Sequence, residues 1–201
     1  ELGLSHPRQE EVLRVADKIA DGDSLEVYKF DNLKEEDFSE PKILIHGMLY
    51  EASKLLFSGA SKSRKTWMLL QLSICISCGR PWMGLETVQR DVLIIDLELQ
   101  RRMLNKRVAS IAKALGVTDT SRIHLISLRG KQANLSQLKK QIVEICKLRD
   151  IGFISIDPVY RIKTGEENSN DDIADFLLSV EALAHESGAA IGLTHHFAKG
   201  N

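Results

Sequence analysis

The sequence predicts an α/β protein in which helices cover both faces of a mainly parallel β-sheet. Two observations predict this fold class. Short apolar segments alternate along the chain with longer segments of helical periodicity, and the short segments show no polar alternation. Several of them are also followed directly by polar residues, which is typical of parallel strands whose carboxyl ends share one edge of a sheet.

Strand and helix segments can be placed from residue 42 onwards. Strands are predicted over residues 43–45, 55–57, 92–95, 123–126, 153–157 and 190–194. Helices are predicted over residues 65–78, 101–115, 135–148 and 171–187. Gly116 and Gly188 follow two of the helical segments and are typical of helix ends.

The chain divides in sequence into residues 1–41 and residues 42–201. Residues 6–20 have the spacing of a short amphipathic helix, and residues 21–41 are acidic and turn-rich, as in a peripheral arm. Residues 42–201 form the predicted core, and we expect the C-terminal part of that core to be missing from this chain. The 201 residues, 43% of them hydrophobic and 27% charged, suit one globular domain with an extension.

Charge, hydropathy and cysteine content narrow the class of protein. The net charge of −1 gives no overall basic field, so a DNA contact would be a local patch or a channel built by several subunits. No run of about 18 apolar residues and no signal peptide are visible, so we expect a cytoplasmic protein without a membrane span. Cys75 and Cys78 form C-x-x-C without a second pair, which favours buried helix-face cysteines over a zinc or redox site.

A phosphate-binding loop is predicted between the strand at 55–57 and the next helix. Residues 59–66 match G-x-x-x-x-G-K-[ST] at every fixed position except Arg64, which replaces the second glycine. The backbone N–H groups of such a loop and the positive end of the following helix attract phosphate. The apolar strand and helix on either side distinguish this loop from a chance match in a polar turn.

The loop residues have predicted roles. We expect Lys65 to lie in an exposed loop and to reach the β- and γ-phosphates, and the Thr66 hydroxyl to ligate Mg²⁺. Arg64 must either turn its side chain away from the phosphates or add its guanidinium group to them. The candidate nucleotide-binding residues are Gly59, Ala60, Ser61, Lys62, Ser63, Arg64, Lys65, Thr66 and Trp67.

Carboxylates follow two further strands. Asp157 ends the strand at 153–157 in the setting of a metal-binding carboxylate, although Asp-Pro is also typical of a turn. Asp96 and Glu98 follow the strand at 92–95. We expect these two side chains to face opposite sides, so that only one of them faces a nucleotide. Glu98 is placed either to orient or deprotonate an attacking water, or to favour the dipole of the next helix.

Two histidines, His195 and His196, follow the last predicted strand. A histidine at this position can hydrogen-bond the γ-phosphate and transmit its loss to the loop that follows. A solvated histidine pair at a strand exit is the alternative. The residues alone favour neither interpretation.

Four segments of the chain resemble RecA-like ATPases in their order and spacing. They are Lys62–Thr66, Asp96–Leu99, Ile156–Tyr160 and His195–Gly200. The Asp-Leu-Glu-Leu and His-His-x-x-Lys-Gly segments are most similar to the RepA-like hexameric replicative helicases of plasmids and phages. The resemblance covers about residues 42–201.

This resemblance implies a RecA-like P-loop NTPase fold, a hexameric ring of identical subunits, and hydrolysis of ATP with Mg²⁺ coupled to movement on single-stranded DNA. A primase or initiator would be a further partner. The roles it carries over are phosphate and Mg²⁺ binding by Lys65 and Thr66, general-base catalysis by Glu98, metal binding by the Walker B residue Asp157, and γ-phosphate sensing by His195 or His196.

Two other functions fit parts of the sequence. A nucleotide-dependent assembly or regulatory ATPase without unwinding activity is favoured by the net charge and by Arg64, and disfavoured by Glu98. A small-molecule phosphotransferase would need a substrate lid with several arginines, whereas Arg122, Arg129 and Arg161 are scattered. DNA-stimulated ATP turnover distinguishes the helicase from the assembly ATPase.

The resemblance also implies a place for the strand at 54–58. It is expected beside the strand at 190–194, with its other edge unprotected within this chain. Apolar strand edges invite pairing with another strand. We therefore expect this edge to be covered by chain beyond Asn201, by the segment Ile43–Ile45 or by a neighbouring subunit.

Overall fold

The structure is a computed structural model, which describes residues 40–129, 135–157 and 170–196. The chain divides into two units, Glu1–Glu40 and Pro41–Asn201. Apart from Glu40, the described residues all belong to the second unit. The helix predicted over residues 6–20 and nearly all of the arm predicted over residues 21–41 lie outside the described residues.

Within the described residues, five parallel strands form a central sheet. In chain order the strands are β1 (Ile43–Ile45), β2 (Leu49–Tyr50), β3 (Lys54–Gly59), β4 (Asp91–Asp96), β5 (Ile123–Ser127), β6 (Ile151–Asp157) and β7 (Ala190–His196). The central sheet has the order β3-β7-β6-β4-β5, and each neighbouring pair in it is parallel. The strands β1 and β2 pair antiparallel in a separate two-stranded sheet.

The helices of the described ranges have nearly the predicted bounds. They are α1 (Lys65–Cys78), α2 (Arg101–Leu115), α3 (Leu135–Arg149) and α4 (Asn170–Ser187). Helices α1 and α2 pack on one face of the sheet, and α3 and α4 pack on the other. None of these four helices has both the length and the apolar composition that crossing a bilayer requires.

Alternate residues of the central strands point into two separate cores. On β4, Leu93 and Ile95 lie in the core beneath α3 and α4, whereas Val92 and Ile94 lie in the core beneath α1 and α2. All four side chains are buried, which explains why the predicted strands lack polar alternation. The predicted α/β architecture, with helices on both faces of a parallel sheet, is confirmed.

A glycine on β7 allows α1 to lie close to the sheet. A Cβ atom at Gly192 would lie 2.6 Å from the ring of Phe153 on β6 and 2.7 Å from the side chain of Leu69 on α1. Both distances are shorter than van der Waals contact, so these neighbours leave room only for glycine. The close approach places the start of α1 directly beside the carboxyl ends of the strands.

The strand β3 lies at one edge of the sheet and pairs with β7, as predicted. The segment Ile43–Ile45 does not cover the other side of β3, because it pairs with β2 in the separate sheet, so that part of the expectation is wrong. No strand of the described residues covers this outer side. On β3, Leu56 is 54% exposed, and Lys54 forms an ion pair with Glu181 on α4.

Candidate nucleotide-binding site

Polar residues from four strands meet at the carboxyl edge of the central sheet. The backbone of Gly59, at the end of β3, is paired in register with His196 on β7. Asp96, at the end of β4, is paired in register with Asp157 at the end of β6. The parallel strands therefore place the loop after β3, two carboxylates and the histidine pair along one edge.

The side chain of Lys65 closes the loop between β3 and α1. Its Nζ donates hydrogen bonds to the carbonyl oxygens of Gly59 and Ala60, each at 2.8 Å, and to the Ser63 hydroxyl at 3.2 Å. These acceptors match the three donors of an ammonium group. Residues 60–64 of the loop are exposed, as expected, whereas Lys65 itself is only 7% exposed. The loop therefore encloses the ammonium group of Lys65.

Arg64 has the backbone conformation that a glycine adopts without strain. Its φ of 65° and ψ of 22° lie in the left-handed region, and Lys62 has the same φ. The Arg64 side chain is exposed. The arginine therefore occupies the position of the second glycine with a glycine-like backbone, at a cost of about 1–2 kcal/mol for a residue with a Cβ atom.

The N-terminal end of α1 faces the loop. Its N-cap is Arg64, which makes no side-chain capping hydrogen bond within the described structure, and the first turn holds no acidic residue. The first N–H groups of α1 and its dipole therefore favour an anion at this end. In this first turn Thr66 is half-buried, and Trp67 is 41% exposed.

Asp157 is tied to the neighbouring strand by Thr194. The buried hydroxyl of Thr194 on β7 donates a hydrogen bond to Oδ1 of Asp157. The pairing of Ile156 with Leu193 brings the two residues side by side. No local pattern indicates a role for Thr194, because the register between β6 and β7 cannot be read from either strand alone.

Asp96 is a buried carboxylate that shapes the turn after β4. It is 2% exposed, and its Oδ1 accepts backbone hydrogen bonds from Glu98 at 3.1 Å and Leu99 at 2.7 Å. Burial raises the pKa of the Asp96 carboxyl above its usual range. The hydrogen bond from Leu99 opposes this rise in pKa, and the charge of Asp157 adds to it.

Glu98 lies in the turn and not on the strand. The expectation that Asp96 and Glu98 face opposite sides of a strand is wrong, because residues two apart on a strand share a face and because β4 ends at Asp96. Glu98 is exposed, whereas Asp96 is buried. Since Asp96 holds the backbone N–H of Glu98, the buried carboxylate fixes the position of the exposed one. An aspartate at the end of an apolar strand is a sequence signal for such a turn, because its side chain can hydrogen-bond the backbone two residues further on.

The histidine pair is described in part. His195 is half-buried on β7, next in register to Ser58 of β3. The side chain of His196 lies outside the described residues, and so do residues 158–169 after Asp157 and residues 197–201. The structure therefore places the backbone of the pair beside the loop and leaves its predicted sensor role as a prediction.

Cys75 is buried on α1, as the sequence predicted for a helix-face cysteine. Burial raises its pKa to about 11, with the neighbouring Cys78 adding to the rise, so the thiol stays protonated at neutral pH. Cys78 is half-buried and donates a hydrogen bond to the carbonyl oxygen of Ile74. Both cysteines act as small apolar parts of the helix packing.

Residues 23–201, most of the chain, match the family described as AAA domain. The chain belongs to the AAA domain family. In fold it is similar to the crystal structure of a KaiC-like protein from the hyperthermophilic archaeon Pyrococcus horikoshii OT3, with a TM-score of 0.55 and 19% sequence identity. That similarity covers 78% of this chain and 67% of that chain. A comparison with curated proteins gives no match.

The family and the fold together define the class of this AAA domain. It is an α/β P-loop NTPase of RecA-like fold, and its family is one of nucleotide-dependent ATPases. ATPases of this class generally bind ATP with Mg²⁺. The loop closed by Lys65 is the feature of the described structure that corresponds to this class.

Replacing Arg64 by glycine is expected to stabilise the AAA domain by about 1 kcal/mol, because glycine enters the left-handed region without a Cβ clash. The measurement is the free energy of unfolding in urea. Ser61→Gly is the matched control, since Ser61 lies in the same loop without a positive φ and should gain nothing. A lower free energy of unfolding for Arg64→Gly than for the parent would contradict strain at this residue.

Replacing Asp96 by asparagine is expected to change how stability depends on pH. The pKa of Asp96 is raised in the folded state, so the unfolded chain loses this proton first as pH rises from about 4. As pH rises, the free energy of unfolding of the parent should therefore fall until the pH exceeds the raised pKa of Asp96 in the folded state. Asp96→Asn keeps the oxygen that accepts the hydrogen bonds and cannot ionise, so this loss should vanish from its urea-unfolding curves. Parallel pH profiles for the two proteins would contradict the prediction.

Proposed function

We propose that this AAA domain hydrolyses ATP with Mg²⁺ and that hydrolysis drives a ring of identical subunits along single-stranded DNA, as a helicase in plasmid or phage replication. The observation that carries the ATPase part is the loop closed around Lys65, at the same sheet edge as Asp157. A cation enclosed by backbone groups at the start of a helix suits a phosphate chain.

Phosphate binding would exchange the partners of Lys65. Its Nζ now bonds two carbonyl oxygens and the Ser63 hydroxyl, which are neutral acceptors. A phosphate oxygen is charged and forms a stronger hydrogen bond with an ammonium group. The triphosphate therefore displaces the carbonyl oxygens, and the loop keeps its shape around the anion.

Thr66 and Asp157 are the residues that would hold Mg²⁺. Their oxygen atoms suit this hard cation. The described residues contain no group of three or more histidine, cysteine, aspartate or glutamate side chains that could hold a metal. This fits Mg²⁺, which is usually bound through one or two protein oxygens, water and substrate phosphates. When bound, Mg²⁺ neutralises charge on the phosphates.

Glu98 is the proposed general base. Its exposed carboxylate can accept a proton from a water that attacks the γ-phosphate. Asp96 is the proposed positioning residue, because its Oδ1 holds the turn that carries Glu98. His195 or His196, beside the loop on β7, is proposed to sense the γ-phosphate.

The distribution of charge supports a polyanionic partner. Residues 1–40 carry 12 acidic and 5 basic residues, so residues 41–201 carry the other 16 acidic and 22 basic residues. The net charge of −1 for the whole chain is therefore the sum of an acidic unit, residues 1–40, and a basic unit, residues 41–201. Helix α2 alone holds five basic residues and no acidic one. Such an excess attracts single-stranded DNA through its phosphates.

An ATP-dependent assembly or regulatory module without unwinding activity is the second candidate. Arg64 favours it, because this residue replaces the second glycine of the loop pattern. ATP turnover that rises on addition of single-stranded DNA supports the motor, and turnover indifferent to DNA supports the module. A phosphotransferase is disfavoured further, because Arg122 forms an ion pair with Asp91 at 2.5 Å. This pair lies at the amino ends of β4 and β5, and the phosphate loop follows the carboxyl end of β3.

Lys65→Ala is expected to lower ATP turnover on the order of 100-fold or more, because the γ-phosphate loses its charged donor during transfer. Loss of the loop hydrogen bonds should cost only about 1 kcal/mol of stability, since water can reach the freed carbonyl oxygens. Lys113→Ala, an exposed lysine on α2, is the control. Equal turnover by Lys65→Ala and Lys113→Ala, with both folded, would refute the proposed site.

Glu98→Gln is expected to keep ATP binding and to lower turnover about 100-fold to 10,000-fold, because an amide can hydrogen-bond water but cannot accept its proton. Binding is measured with a labelled nucleotide, and turnover by phosphate release. Glu144→Gln on the exposed side of α3 provides the matched control. If Glu98→Gln loses binding and turnover together, Glu98 has a structural role and is not the base.

A further inference from the structure

An aromatic ring stands beside the phosphate loop without being part of the core. Trp67 lies in the first turn of α1, two residues after Lys65, and is 41% exposed. The guanidinium group of Arg107, on α2, lies 5.5 Å from the centre of its ring. Arg107 is itself only half-buried. The pair is thus an open, cation-bearing aromatic surface.

The backbone at Trp67 indicates which part of a nucleotide would meet this ring. The N–H of Met68 bonds to the carbonyl of Arg64 at 3.1 Å, so the N–H groups of residues 65–67 precede the regular bonding of α1. If Lys65 and Thr66 serve the terminal phosphates, the N–H of Trp67 is the next donor along the helix. A nucleoside that continues the phosphate chain then begins next to the Trp67 side chain.

We propose that Trp67, with Arg107 stacked against it, forms a base-binding platform that selects purine nucleoside triphosphates. The proposal rests on the phosphate site of the proposed function, since it concerns the same ligand. Stacking recognises the face of a base and not its edge, so larger purine rings are favoured over pyrimidines. Adenine and guanine are then accepted with similar affinity, and cytosine and uracil more weakly.

A purely structural role for the pair makes different predictions. The contact between Trp67 and Arg107 would then serve to fasten α1 to α2. Its loss would lower stability and would weaken every ligand of the loop to the same extent. A platform instead affects ligands that carry a base, and leaves a bare phosphate chain almost unaffected.

The two tryptophans of the chain allow the platform to be observed directly. Trp82 is 4% exposed, and its ring lies edge-on to Phe57 at 6.0 Å. Its Nε1 has no hydrogen-bond partner among the described residues, so Trp82→Phe breaks no such bond. In Trp82→Phe the remaining tryptophan fluorescence comes from Trp67. ATP should quench it, whereas inorganic tripolyphosphate should not.

Affinities for ATP and for tripolyphosphate provide the second readout. Trp67→Ala is expected to weaken ATP binding on the order of 10-fold, the usual effect of losing one base–aromatic stack. Its affinity for tripolyphosphate should change by less than about twofold, because no base is involved. Trp67→Phe should retain most of the ATP affinity, and Met103→Ala, at an exposed residue of α2, is the matched surface control.

The outcomes separate this inference from the proposed function. Equal loss of ATP and tripolyphosphate affinity in Trp67→Ala, or an ATP signal that persists in Trp67→Phe and vanishes in Trp82→Phe, would overturn the platform while leaving the phosphate site in place. Equal affinity of the parent for ATP and CTP would also overturn it. Failure of tripolyphosphate to bind the parent protein would reject the phosphate site and the platform together.

Discussion

The loop at the carboxyl edge of the sheet in this AAA domain depends on one buried cation, the ammonium group of Lys65. It joins the last residue of β3, Gly59, to the first residue of α1 through a hydrogen bond of 2.8 Å. The same group holds Ala60 and Ser63, so one charge sets the shape of the whole loop. The N–H end of α1 and the carboxyl ends of the strands consequently face the same space, where an anion is favoured.

Such a loop carries strain, and the packing behind it offsets that strain. Lys62 and Arg64 both hold left-handed backbone conformations although neither is a glycine. Conformations of this kind persist where the surrounding structure leaves no alternative. Here α1 is buried along most of its length and lies close to β7 over Gly192. The apolar burial of one helix therefore stabilises the unfavourable backbone of the loop that precedes it.

The three acidic side chains at the carboxyl edge of the sheet differ in burial and in the groups that they contact. Asp96 is buried, and its Oδ1 accepts the backbone hydrogen bonds of the turn. Asp157, its neighbour in register, is oriented by the hydroxyl of Thr194. Glu98 alone among the three is exposed and able to meet water. The buried carboxylate of Asp96 thus holds the turn that carries Glu98, the proposed general base.

The sequence by itself determined the strand and helix segments, the loop pattern and the helix ends, because each depends on the type and spacing of residues close together in the chain. It missed β2, whose two residues are too few to show a period. Only the tertiary structure decided that Lys65 is buried, that Thr194 hydrogen-bonds Asp157 and that the guanidinium group of Arg107 lies over the Trp67 ring. These contacts join elements far apart in sequence, and they depend on strand register and helix packing, which no local pattern encodes.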